Sequence, residues 1–183
     1  MTRTAFLCLL AALVVGGCAG AGVVTSGPGE NSLPVEEETA SIALDALYLE
    51  DMSGQRIPLD EWLGRDVIVV SFWATFCKPC KAEMPFLDKL HRDHEGKGLK
   101  VLAISLDTPE TESGVRPLIQ RNRYAFAVAV DRQSDATRLL NAKSILPHLV
   151  IIDRRGRVVL RKDGFTVGDQ APLTAVILRL LGR

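Results

Sequence analysis

From residue 41 onward the apolar positions fall into separable rhythms, and each rhythm predicts an element. Residues 66–73 (DVIVVSFW) are almost continuously apolar, the mark of a strand buried on both faces. In residues 80–94 (CKAEMPFLDKLHRDH), Met84, Leu87 and Leu90, with Phe86, recur at helical spacing, and Gly96 and Gly98 end the helix. Residues 100–106 (KVLAISL) predict a second buried strand, with a helix within 109–122 and a third strand over 124–130 (YAFAVAV). A helix over 134–142 and a strand over 148–152 follow, then a hairpin partner over 157–161 across Arg155-Gly156. An amphipathic helix over 171–181 closes the chain, with Pro172 in its first turn. Ahead of these, residues 41–66 predict a short strand, a turn at Ser53-Gly54, a second short strand and a helical turn around Leu59–Leu63.

Strands alternating with helices of this length imply an α/β fold. The expected architecture is a mainly parallel central sheet with helices on both faces, short N-terminal strands and an antiparallel C-terminal hairpin.

The first forty residues follow a different pattern. Arg3 precedes an unbroken apolar run over 5–15 (AFLCLLAALVV), and Gly16 and Gly17 follow it. This is the layout of a secretory signal peptide, and the run is shorter than the ~20 residues a spanning helix needs. Val15-Gly16-Gly17-Cys18 resembles the bacterial lipobox, which implies cleavage before Cys18 and acylation of its sulfur. Residues 19–40 are rich in Gly, Ser, Pro and Glu without apolar periodicity, as in a flexible tether that spans roughly 25 Å. The expected organisation is a lipoprotein signal peptide over 1–17, a lipidated cysteine and tether over 18–40, and one domain over 41–183. The protein would then be exported and held by lipid on the periplasmic or other extracytoplasmic face of a membrane.

Charge adds little to this picture. Lys plus Arg and Asp plus Glu number 22 each, and loss of Arg3 with the signal peptide leaves the balance near neutral. No basic surface for nucleic acid is indicated. The cysteine count changes more. Of four cysteines, Cys8 leaves with the signal peptide and Cys18 carries lipid, so the domain keeps Cys77 and Cys80.

Those two stand in Cys77-Lys78-Pro79-Cys80, where a buried strand gives way to a helix. Cysteines three apart at a helix start face the same way and can meet the narrow geometry of a disulfide. Unpaired N–H groups at the helix N-terminus stabilise a thiolate, and Lys78 adds a neighbouring cation. Pro79 costs the first turn no helical hydrogen bond. The expected roles are Cys77 as nucleophile and Cys80, one turn in and more buried, as resolving thiol. Glu83 follows three residues later on the same face, where burial would raise its pKa and suit it to proton transfer with Cys80. This chemistry calls for no cofactor.

The segment FWATFCKPCKAEMP resembles FWATWCxPCxxEMP of the thioredoxin-like, membrane-anchored thiol–disulfide oxidoreductases of the TlpA/ResA type. The likeness extends over most of 41–183, through GQRIPLDEWLGRDVIVV, LKVLAISLD and LPHLVIIDRRGRVV. It implies a thioredoxin-like fold, a redox-active Cys77–Cys80 disulfide, a cis-proline at Pro147 facing it, and a tuning role for Glu83. It also implies reduction of disulfides in exported proteins, with apocytochrome c among the substrates in cytochrome c maturation, and a membrane thiol as electron donor. Two positions depart from the family pattern: Phe76 replaces a Trp and keeps an aromatic wall, and Leu146-Pro147-His148 replaces a smaller or Thr-containing flank.

Three rival readings exist. Cys77, Cys80, His91 and His94 form C-x2-C-x10-H-x2-H, near a zinc-finger spacing. A single helix over these residues, however, sets His91 roughly 16 Å along the axis from Cys80. A copper(I)-binding or delivery module would use Cys77 and Cys80 with His148 as third ligand. A peroxidase is weaker, because Thr75 stands too close to Cys77 and no proline precedes it there.

Overall fold

A computed structural model describes residues 44–182. The expected signal peptide, Cys18 and the tether lie outside the described residues. Five strands, β1 (Val67–Trp73), β2 (Leu99–Ser105), β3 (Ala127–Val130), β4 (His148–Ile152) and β5 (Val158–Asp163), form one sheet in the order β3-β2-β1-β4-β5. β1 pairs in parallel with β2, and β2 with β3; β4 is antiparallel to both β1 and β5. Only β4 therefore runs against the rest, and the sheet is a mixed one. All seven residues of β1 are buried, as its continuous apolar run requires of the central strand.

The helices are α1 (Leu59–Trp62), α2 (Lys78–His94), α3 (Val115–Asn122), α4 (Asp135–Leu140) and α5 (Gln170–Leu181). Alternation along the strands divides the core in two. Val67, Val69, Trp73, Leu149 and Ile151 meet Met84, Leu87 and Leu90 of α2 and Leu173, Val176 and Ile177 of α5. Ile68, Val70, Phe72, Val150 and Ile152 meet Leu44, Leu47, Leu49 and Leu59, with Ala136 and Leu140 of α4. Helices thus cover both faces.

Two local expectations are trimmed. The short N-terminal strands reduce, among the described residues, to isolated bridges between Glu50 and Arg56 and between Asp51 and Ala129. Between them the Asp51 carboxylate takes the amides of Ser53 (2.7 Å) and Gln55 (2.9 Å), closing a turn instead of a longer ladder. The third strand begins at Ala127, not Tyr124, because the chain is still leaving α3. Arg123 caps that helix at φ 56°, and Tyr124 stacks on Phe126 with ring centroids 5.2 Å apart. No helix among the described residues is long and apolar enough to cross a membrane.

Candidate active site

The chain leaves the C-terminal end of β1 at Trp73, turns through Ala74–Phe76, and enters α2 with Cys77 as its N-cap. The Cys77 amide donates to the Ala74 carbonyl at 3.0 Å, which closes the turn. Cys77 and Cys80 are joined by a disulfide, with S–S 1.95 Å and Cα atoms 5.3 Å apart. The Cys77 sulfur also accepts the Cys80 amide at 3.2 Å, so a helix N–H already points at the atom that carries charge when the pair is reduced. Cys77 is 8% exposed and Cys80 0%, so of the two only Cys77 keeps any contact with solvent.

Around the sulfurs, Phe76 is largely exposed and forms an apolar shoulder, and Lys78 and Pro79 are exposed in the first turn. The Leu146–Pro147 peptide is cis. Pro147 is buried and immediately precedes β4, whose first residue, His148, lies opposite Phe72 in β1. The proline therefore sits at the same end of the sheet from which the cysteine turn departs.

Glu83, one turn beyond Cys80, is 1% exposed against the β1 strand. Burial pushes its carboxyl up to about 7, opposed by the Ser71 hydroxyl and the Lys162 ammonium. The Ser71 Oγ donates to Glu83 Oε2 at 2.7 Å. An acid poised near neutrality can accept or return a proton in the same environment as the sulfurs.

Sequence reasoning passed over two residues at this end of the sheet. Asp107, buried just past β2, accepts the Thr75 amide (2.9 Å), the Thr75 hydroxyl (2.5 Å) and the Ser105 hydroxyl (2.7 Å). It pins the turn before Cys77 from the neighbouring strand. The available signal was an Asp at the C-terminal end of a buried parallel strand, where open α/β sheets place functional groups. Ser71 was also legible as the one polar side chain in VIVVSFW.

His148 is not gathered to the sulfurs. Its strand position pairs it with Phe72, on the sheet face away from α2. Nδ1 lies 2.5 Å from Asp163 Oδ1 and Nε2 lies 3.1 Å from the Leu140 carbonyl oxygen, so both ring nitrogens face partners other than the sulfurs. The copper reading loses its third ligand on that geometry. The zinc reading fares no better, since α2 is one helix from Lys78 to His94 and carries Cys80 and His91 three turns apart. His91 is instead buried beside Glu95, at 3.3 Å, and burial lowers its pKa despite that carboxylate.

Residues 40–161 match the AhpC/TSA family. The thiol-disulfide oxidoreductase ResA of Bacillus cereus (strain ZK / E33L) is 35% identical over 139 residues, 74% of this chain and 77% of the relative. The chain belongs to the AhpC/TSA family. Solved structures carry the same fold. A protein assigned as thiol:disulfide interchange protein DsbE from Chlorobium tepidum superposes with TM-score 0.67 at 29% identity, over 74% of this chain and 93% of that one. A thioredoxin-like protein from Porphyromonas gingivalis gives TM-score 0.61 at 28% identity, over 75% and 90%. These similarities place the chain among the thioredoxin-like oxidoreductases of the AhpC/TSA family.

Proposed function

We propose that the protein exchanges disulfides with exported proteins through Cys77 and Cys80, working chiefly as a reductase. The observation that carries this reading is the bonded pair at the start of α2, with Cys77 partly open and Cys80 sealed. In the reduced protein, the Cys77 thiolate attacks one sulfur of a substrate disulfide, forming a mixed disulfide and expelling a substrate thiolate that takes up a proton. Cys80 then gives its proton to the Glu83 carboxylate and attacks Cys77, releasing the second substrate thiolate and closing the Cys77–Cys80 bond. Two electrons pass to the substrate, and a membrane thiol carrier returns them.

Phe76 supplies an apolar contact for the arriving polypeptide, and Pro147, at the same end of the sheet as the cysteine turn, borders the path by which it arrives. The apolar run over 5–15 and the Cys18 context support export and lipid anchoring, which confine the domain to an extracytoplasmic membrane surface. Apocytochrome c is a fitting substrate there, because both cysteines of its CxxCH motif must be reduced before haem attaches.

Purified domain is expected to reduce insulin disulfides with a dithiol donor, and Cys77→Ser to lose that activity entirely. Full activity in Cys77→Ser contradicts the reading. The reduction potential gives the direction: a value near about −270 mV supports a reductase, and one near about −120 mV reverses the assignment to an oxidase.

A further inference from the structure

Glu83, on α2, is approached from the edge strand of the sheet as well as from β1. Ser71 of β1 lies directly across from Leu149 of β4, and Leu149 directly across from Lys162 of β5. Residues opposite one another in a ladder share a face, so Ser71, Leu149 and Lys162 form one row on the sheet face that α2 and α5 cover, and Glu83 comes down onto it at Ser71. Lys162 does not reach into solvent: its side chain is 16% exposed. The ammonium donates to the Gly164 carbonyl at 2.9 Å and pairs with Asp169 Oδ2 at 3.0 Å. Asp169 is itself fixed, accepting the Thr166 amide (2.6 Å) and hydroxyl (2.9 Å) in a capping box at the short 3-10 turn before α5.

A lysine folded inward on this face needs a countercharge, and Asp169 supplies it at 3.0 Å. Glu83 is a second, more deeply buried carboxyl on the same face, along the row that starts at Ser71. We propose that Lys162, oriented by Asp169, is a positioning residue that sets the proton occupancy of Glu83 and so governs how that acid serves the Cys77–Cys80 couple. The proposal rests on the function argued above for that couple. The titratable groups that bear on Glu83 are Lys162 from β5, Asp169 from the turn before α5 and, once reduced, the two thiols of its own helix; Ser71 and Leu149 bring no charge from β1 and β4. Lys162 stabilises the carboxylate and Asp169 opposes it. Burial works to raise the Asp169 carboxyl, but Lys162 and Thr166 hold it below its ordinary value, so it remains charged through the neutral range.

The two partners act with opposite sign, which makes the idea testable in the oxidised protein without any exchange assay. The Glu83 side-chain carbon is followed by carbon NMR across pH in wild type, Lys162→Met, Lys162→Arg and Asp169→Asn. Removing the ammonium is expected to move the titration midpoint up by about one pH unit, and Lys162→Arg to restore it. Removing the opposing carboxylate is expected to move the midpoint down. Unmoved midpoints, or shifts of the same sign in Lys162→Met and Asp169→Asn, overturn the proposal. If Lys162→Met does not fold, the Asp169→Asn midpoint decides alone, a downward shift supporting the proposal and any other result overturning it. Insulin reduction is measured alongside: a wild type without activity overturns the exchange reading and leaves the carboxyl shifts to stand separately.

Discussion

A carboxyl group withdrawn from water holds its proton longer, and Glu83 shows what that does to a folded protein. Its folded value is about 7 against an ordinary 4.5, so between those limits the folded state binds more protons than the unfolded state. Stability contributed at this position is therefore greatest below pH 4.5, declines as pH rises towards 7, and levels off above it. Glu83→Gln keeps an acceptor for Ser71 and removes the titration. Urea unfolding of the oxidised protein is expected to show the variant gaining on wild type with pH, by up to about 3 kcal/mol between pH 4 and pH 8. A stability difference independent of pH contradicts the burial argument. At this scale the pairing of Cys77 with Cys80 and the burial of Glu83 could be read from one short segment, because these relations are local to a helix. His148 was misleading for the complementary reason. Its neighbours Leu140 and Asp163 are eight and fifteen residues away, and the strand direction that turns it from the sulfurs is a property of pairing.

The turn between β1 and α2 is the element on which the proposed chemistry depends, and its hydrogen-bonded anchor comes from outside it. Asp107 ties down Thr75 from thirty-two residues away, at both the amide and the hydroxyl. Asp107→Ala leaves two polar groups of the turn without their partner. The expected cost is about 2–3 kcal/mol in urea unfolding, with a marked fall in exchange rate as Cys77 loses its fixed approach. If the variant melts with wild type and reacts at the wild-type rate, the clamp has no bearing on the site. No periodicity in the sequence could reveal this contact, since an Asp after a strand is also ordinary turn chemistry. The strands themselves were readable where burial on both faces forces an apolar run, as in β1, β2 and β4. They were misjudged where the run was diluted, as at Tyr124–Phe126, which form the loop between α3 and β3.

On the scale of the molecule, a single strand of reversed direction organises the site. Because β4 runs opposite to β1, its N-terminal end and Pro147 lie at the same sheet end as the C-terminus of β1 and the sulfurs. The hairpin to β5 then places Lys162 across from Leu149, on the same face as Ser71, and the following turn adds Asp169. The α/β order of elements announced the layers, whereas the placement of β4 beside β1 required the resemblance or the structure, because hydropathy carries no strand order. What this assembly produces is an asymmetric pair of sulfurs, one reachable and one enclosed. The most direct test of that asymmetry is to trap it. Cys80→Ser protein, reduced and mixed with a disulfide-bonded peptide, is predicted to accumulate a stable mixed disulfide that peptide mapping by mass spectrometry locates at Cys77. Absence of an adduct, with turnover undiminished in Cys80→Ser, contradicts the account.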